Sequence, residues 1–166
     1  MPKIRIQQRP FLTRPELFQG LSPLLAQILA RRGVQSELEL ELKLKHLLAP
    51  QMKGLEQAIQ IVDEAIDTHQ KIVIVGDYDA DGATSTALMV LALREMGADV
   101  EYLVPDRFKY GYGLTPAIAD LAFVTFTPDL LITVDNGISS HEGVDQAQAH
   151  GMKVIITDHH LTTKET

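Results

Sequence analysis

The sequence predicts an α/β fold: a doubly wound parallel sheet with helices on both faces, preceded by a small N-terminal helical region. Two observations carry this reading. From Lys71 onward, short β-branched runs alternate with stretches of helical period, the pattern of βαβ units and a parallel sheet. The runs IVIV, LLITV and VIIT are almost continuously apolar, as strands covered by helices on both faces must be.

Taken in order, residues 1 to 20 hold no sustained period. They mix Lys3, Arg5, Arg9 and Arg14 with Pro2, Pro10 and Pro15 and are expected to form an extended arm. Ser22 followed by Pro23 reads as an N-cap and first helical residue, and Leu24, Leu25, Ile28 and Leu29 continue at helical spacing until Gly33. Glu37 to Leu48 alternates charges with Leu38, Leu40, Leu42 and Leu44 at a period near two; its composition of helix formers nevertheless predicts a helix. Leu55, Ala58, Ile59, Val62 and Ile66 line one face of an amphipathic helix. Strands are then expected at 71–76, 99–104, 129–134 and 153–157, with helices near 84–96, 116–123 and 141–150. Thr115-Pro116 repeats the cap-and-proline start, and Gly151 is placed to end the last helix. The expected division is residues 1–53, an arm and helical region, and residues 54–166, an α/β catalytic domain truncated on its C-terminal side.

Composition narrows the chemistry. With 166 residues, 45% of them hydrophobic, the chain has material for one domain plus a small appendage. It has no cysteine, so disulfides and thiolate-held zinc or iron–sulfur sites are excluded and any metal must rest on carboxylates and imidazoles. The N-terminus lacks the apolar core of a signal peptide, and no run approaches the roughly 18 apolar residues of a membrane span; a cytoplasmic protein that does not enter membranes is expected. A net charge of −7 argues against coating DNA by overall basicity, though bound divalent cations would cancel part of it.

In open parallel sheets, ligands bind beyond the carboxyl ends of the strands, where the strand order reverses. Here the acidic clusters fall at those ends: Gly76-Asp77-Tyr78-Asp79-Ala80-Asp81-Gly82 after the first strand, Asp135-Asn136-Gly137 after the third and Asp158-His159-His160 after the fourth. Carboxylates so crowded would hold protons unless cations neutralised them. Oxygen donors with imidazoles suit Mn²⁺ or Mg²⁺, and a pair of such ions serves phosphoester hydrolysis. Each cluster alone has an ordinary explanation, since Asp, Asn and Gly make turns. The D-x-D-x-D-G run also resembles a calcium loop, but a strand precedes it and no glutamate stands at the twelfth position. The coincidence of three clusters at three strand ends favours a site. His46, His69, His141 and His150 lie in helical or linking stretches and are assigned surface or capping roles.

Asp158-His159-His160 is the motif of the DHH-superfamily phosphoesterases, which this chain resembles. Within that superfamily the run GDYDADGATSTALM, the segment Gly111-Tyr112-Gly113-Leu114, the VDNGIS segment at 134–139 and TDHHL at 157–161 resemble the RecJ family of single-stranded-DNA-specific exonucleases. The Leu29-Ala30-Arg31-Arg32-Gly33 helix and the helix before Lys71 are similar to that family's N-terminal region, so the likeness runs from about residue 20 onward.

The resemblance implies a 5′-to-3′ exonuclease acting on single-stranded DNA in recombination and repair, in the company of other repair proteins. It implies two Mn²⁺ or Mg²⁺ ions: Asp79 and Asp81 each on one, Asp135 bridging them, His159 on the second, and Asp77 as a further ligand or orienting group. His160 would face the substrate phosphate, with Asp158 orienting a neighbouring histidine. Arg107, Lys109, Tyr110 and Tyr112 would contact the strand's phosphates and bases, against the simpler reading of a solvated basic loop. Family members carry a further metal-binding aspartate downstream, a closing second domain and an OB-like fold. The expectation is therefore an incomplete fragment with little or no activity alone, whose exposed sheet edge invites self-association. Oligoribonucleases, cyclic-dinucleotide phosphodiesterases and pyrophosphatases share the DHH motif, but the GDYDADG form and the Gly-Tyr-Gly-Leu segment favour RecJ, and a pyrophosphatase histidine is absent from the first motif. A non-catalytic DNA-binding or scaffold module is the alternative of a different class.

Overall fold

The computed structural model describes residues 7, 18, 20–41, 43–47, 49 and 51–161. It divides into two units, Met1–Gln51 and Met52–Thr166. Of the expected arm only Gln7, Phe18 and Gly20 are among the described residues; its lysine, arginines and three prolines lie outside them.

In the first unit, helix α1 spans Pro23–Arg31. Ser22 caps it, its Oγ accepting from the Leu25 N–H at 3.4 Å, and Pro23 occupies the first turn, where no N–H is needed. Its small residues Ala26 and Ala30 are buried with Phe18 in a minor core that Leu21, Leu29, Val34 and Leu40 flank. The helix expected over 37–48 does not form. Two 3₁₀ turns, Glu37–Leu40 and Leu44–His46, stand there instead, separated by Glu41 in an extended conformation. A period of two puts leucines on opposite sides of a helix, so no single face could be buried, and helix propensity alone does not hold so short a segment. Leu38 is accordingly exposed. Leu42 and Leu48 lie outside the described residues.

In the second unit, α2 (Leu55–Asp67) precedes four strands, β1 (Lys71–Val75), β2 (Asp99–Leu103), β3 (Leu130–Val134) and β4 (Lys153–Thr157). Between them lie α3 (Ala80–Glu95), α4 (Arg107–Tyr110), α5 (Pro116–Phe126) and α6 (His141–Ala149). All strand pairs are parallel, in the order β2-β1-β3-β4. The chain starts in the interior at β1, steps outward to β2 and returns to the other side for β3, which is the doubly wound pattern. Alternation along the strands sorts the two cores. Ile72, Ile74, Leu130, Ile132, Val134 and Ile155 pack with residues of α2 and α3, while Val73, Val75 and Leu131 pack with residues of α5 and α6. Each fully buried Ile or Leu of the central strands contributes about 1.5–3 kcal/mol.

Three elements of this unit depart from the sequence reading, one of them α5, which runs three residues past its expected end. Helix α3 begins at Ala80, four residues before the expected start, because the Asp79 carboxylate accepts from the Gly82 N–H at 3.0 Å and caps it. Gly82 permits the close approach: a Cβ there would lie 2.5 Å from the Asp77 carbonyl oxygen. The short helix α4 replaces an expected loop, with Asp106 accepting from the Phe108 N–H at 2.9 Å. Four residues leave no periodic trace in a sequence.

Candidate metal centre

The carboxyl ends of β1 and β3 adjoin at the reversal of the winding, and the acids gather there. Asp77 follows β1 by two residues; Asp135 and Asp158 directly follow β3 and β4. Asn136 ties the two central ends together, its Nδ2 donating to the Val75 and Val134 carbonyls at 3.1 and 2.9 Å. Asp135 still extends the ladder, its N–H donating to the Thr157 carbonyl, but turns through a left-handed conformation, φ 62°.

Asp135, His159 and His160 form one group, with a ligand atom from each lying within 4.8 Å of the others. His159 Nε2 is 2.9 Å from Asp135 Oδ1. The two atoms are near enough for an ion pair, yet among the described residues Oδ1, fully buried, accepts no hydrogen bond. An imidazole N–H aimed away from the oxygen contributes little even at that distance. A buried carboxylate oxygen without a donor is costly unless a cation stands beside it.

Asp158 is nearly fully buried, with one oxygen accepting from the Ile138 N–H at 2.9 Å and the other from the His160 N–H at 3.0 Å and from His160 Nδ1 at 2.7 Å. Burial pushes its carboxyl up, but these donors outweigh burial and hold it below the ordinary aspartate value. A carboxylate only accepts, so His160 carries its proton on Nδ1 and leaves Nε2 for other partners. The hydrogen bond to Asp158 raises the imidazole above its usual value against some desolvation, and the charges of Asp158, Asp135 and Asp79 add to the rise. Tyr112 Oη stands 3.3 Å from the same Nδ1, ring edge to ring face. Its phenol is raised by burial first, then by Asp158, Asp77 and Asp135, with Arg107 opposing, so it stays protonated.

Asp77 is already neutralised. Arg107 Nη2 donates to both of its oxygens at 2.7 Å, and the guanidinium lies over the Tyr78 ring at 3.9 Å and near that of Tyr112 at 5.5 Å. That hydrogen bond raises Arg107 above its ordinary value. Asp79 is occupied as the α3 cap, and Asp81 stands exposed in the first turn of α3, where the helix dipole favours a negative charge. Lys109 lies over the ring of its neighbour Tyr110, at 4.8 Å, and the Tyr110 ring packs against the core between the sheet and α5. The structure thus brings together Asp77, Asp135, Asp158, His159, His160, Arg107 and Tyr112, and leaves Asp81, Lys109 and Tyr110 outside that group.

Sequence reasoning passed over Tyr78, Asn136 and Ser140. Ser140 Oγ accepts from the Leu114 N–H at 3.0 Å and anchors the segment that carries Tyr112. Gly143, in α6, would place a Cβ 1.8 Å from the Leu114 carbonyl, so only glycine lets α6 meet that segment. Tyr78 and Asn136 sit inside the acidic runs, where the neighbouring aspartates drew the reading.

The model of the DHH family, N-terminal domain, matches residues 71–166. The single-stranded-DNA-specific exonuclease RecJ of Escherichia coli (strain K12) is 47% identical over 161 residues, which is 96% of this chain and 28% of that protein. The crystal structure of RecJ in complex with Mn²⁺ from Thermus thermophilus covers 97% of this chain and 23% of its own, at 31% identity and a TM-score of 0.65. The complex of RecJ with Mg²⁺ from the same organism covers 94% and 20%, at 29% identity and a TM-score of 0.53. The chain therefore spans about a quarter of the length of the proteins it is similar to. With four parallel strands and every strand-end acid inside the matched region, the chain belongs to the DHH family.

Proposed function

We propose that this chain is the metal-binding part of a single-stranded-DNA-specific 5′-to-3′ exonuclease of the RecJ type, a cytoplasmic enzyme of recombination and DNA repair. The observation that carries the proposal is the convergence of Asp135, His159 and His160 around a buried carboxylate oxygen that lacks a donor among the described residues. The names of the similar proteins support the substrate class. No helix among the described residues is long and apolar enough to cross a membrane.

An oxygen and two imidazoles, with no sulfur, fit Mn²⁺ or Mg²⁺. Asp135 and His159 would hold such an ion, and Asp77, Asp79 and Asp81 would supply further carboxylates for a two-ion site in the complete enzyme. Bound ions would polarise the phosphoryl group and make water nucleophilic at neutral pH. The rest of the work falls to the protein. Asp158 fixes the His160 ring so that Nε2 faces the substrate phosphate, where it stabilises charge or gives a proton to the leaving oxygen. Arg107 and Tyr112 line the approach and would take a phosphate and a base, with Lys109 and Tyr110 further along the strand. Residues 54–166 are assigned to the catalytic domain and 1–53 to a separate arm and helical region.

Calorimetric titration of Mn²⁺ into the chain and its Asp135→Ala variant, with a labelled single-strand degradation assay on the same samples, tests this. Binding present in the parent and lost in the variant supports the assignment, whether or not this portion degrades DNA alone. A parent chain that takes up no Mn²⁺ opposes it.

A further inference from the structure

Strand β3 reads Leu130-Leu131-Ile132-Thr133-Val134, and all five residues are buried. Thr133 is the one polar residue among them and is 0% exposed. A valine would fill the same space with the same preference for a strand, so the shape of the core does not call for a hydroxyl. Burying a hydroxyl is costly unless it finds a partner. The partner lies beyond the strand: Thr133 Oγ1 donates to the Asn136 carbonyl at 2.7 Å. That bond spans Asp135, whose left-handed backbone, φ 62°, is one that residues with a side chain adopt at a cost. Ahead of it, the Asp135 N–H is fixed by donation to the Thr157 carbonyl at 3.0 Å. Thr133 is itself gripped from β4, its carbonyl accepting from Thr157 Oγ1 at 2.6 Å. Residue 137 is a glycine, and a Cβ there would lie 2.9 Å from Thr133 Oγ1, so the hydroxyl keeps its place beside a residue without a side chain. Together with the Asn136 amide, which donates to the Val75 carbonyl at 3.1 Å, these bonds make a polar seam across the ends of β4, β3 and β1, with Asp135 inside it.

We propose that Thr133 is a positioning residue of the candidate metal centre: its hydroxyl, through the Asn136 carbonyl, holds the left-handed turn that directs the Asp135 carboxylate toward an ion. Asp135 Oδ1 is buried and accepts no hydrogen bond among the described residues, so no such bond sets its direction and the turn does. The ion rests on the metal-binding reading above, whereas the hold on the turn does not.

The test titrates Mn²⁺ calorimetrically into the whole 166-residue chain and three variants. Thr133→Val keeps the shape and removes the hydroxyl, and it should bind Mn²⁺ about tenfold more weakly, the effect of one lost hydrogen bond. Thr133→Ser keeps the hydroxyl and should bind as the parent does. Ile132→Val loosens the core of the same strand without touching the turn, and it too should bind as the parent does. In metal-free Thr133→Val, the Cα and Cβ chemical shifts of Asp135, which report its backbone conformation, should move from their values in the parent. Parental Mn²⁺ affinity in Thr133→Val, a loss in Ile132→Val as large as in Thr133→Val, or no rescue by serine overturns the proposal. Should Thr133→Val fail to fold, Thr133→Cys, whose thiol is a weak donor, takes its place with the same outcomes on either side. A parent that takes up no Mn²⁺ would sink the metal-binding reading, while the Asp135 shifts still decide whether Thr133 holds the turn.

Discussion

His159 Nε2 and Asp135 Oδ1 approach to 2.9 Å from the ends of two neighbouring strands without forming a hydrogen bond, an arrangement that suits two ligands turned toward a third body better than a pair bonded to each other. The carboxylate is buried and the imidazole largely exposed, so the acid carries the greater desolvation.

Asp135→Asn should consequently separate function from stability. The substitution removes a buried charge at nearly constant volume, so the metal-free variant should be as stable as the parent or about 1 kcal/mol more stable. The rise in Tm that Mn²⁺ gives the parent by binding the native state should vanish in the variant. Thermal unfolding with and without Mn²⁺ measures both; a variant that keeps the Mn²⁺-dependent rise would remove Asp135 from the ligand set.

The Asp158–His160 pair should show in a titration of the metal-free chain. His160 should titrate above the ordinary histidine value, so the stability it contributes is fully present below about pH 6.5 and is lost as pH rises through its folded-state value. Asp158 acts in the opposite sense: its contribution is present above about pH 3.9 and is lost as pH falls through its lowered folded-state value. Asp158→Asn should return the His160 titration toward or below about 6.5, read from its imidazole proton shifts. An unmoved curve would mean that another group holds the ring.

Gly82→Ala should damage the first motif through packing alone. The new methyl group would meet the Asp77 carbonyl oxygen at 2.5 Å and its carbonyl carbon at 2.6 Å, both backbone atoms of the segment leaving β1. A loss of about 1–3 kcal/mol in urea unfolding is expected, with weakened Mn²⁺ binding as Asp77 shifts. Full stability in the alanine variant would show that α3 can slide away from the strand end.

Thr127 offers an improvement remote from the site. It ends α5 in a left-handed conformation, φ 49°, which a β-branched residue adopts at a cost, and Pro128 follows it. Thr127→Gly should stabilise the chain by about 1 kcal/mol without altering Mn²⁺ affinity, as chemical denaturation and calorimetry would show. A destabilised variant would mean that the threonine side chain contributes more than its backbone costs.

The sheet was legible because three of the four strands are short apolar runs that lead straight into an acidic cluster, and all four observed strands lie within one residue of the expected ends. What escaped was set by partners distant in sequence or by lengths too short for a period. The early start of α3 depends on a side-chain cap at Asp79, inside a DxD pattern that points to a loop. The segment 37–48 was misread because its composition favoured a helix while its pattern denied it a buried face. At the site, the strand-end acids and the Asp158-His159-His160 run could be named from motif and position. The pairing of Asp77 with Arg107 could not, since thirty residues, with all of α3 and β2, separate them. Nor could the buried, unbonded oxygen of Asp135, which exists only once β3 and β4 stand side by side.

The left-handed turn at Asp135 also limits what evolution can place there. A backbone with φ near 62° admits glycine, asparagine and aspartate readily and most other side chains poorly. Of those three, aspartate alone brings a negative charge. Glutamate, the usual conservative exchange for an acid, would meet strain in the backbone before its carboxylate reached any ion, so the position has few neighbours in sequence space that keep both the fold and the charge. On the proposed function Asp135 is thus constrained twice, by the chain that must turn and by the carboxylate oxygen it would offer to an ion, whereas Asp79 and Asp81 stand in ordinary helical-start geometry.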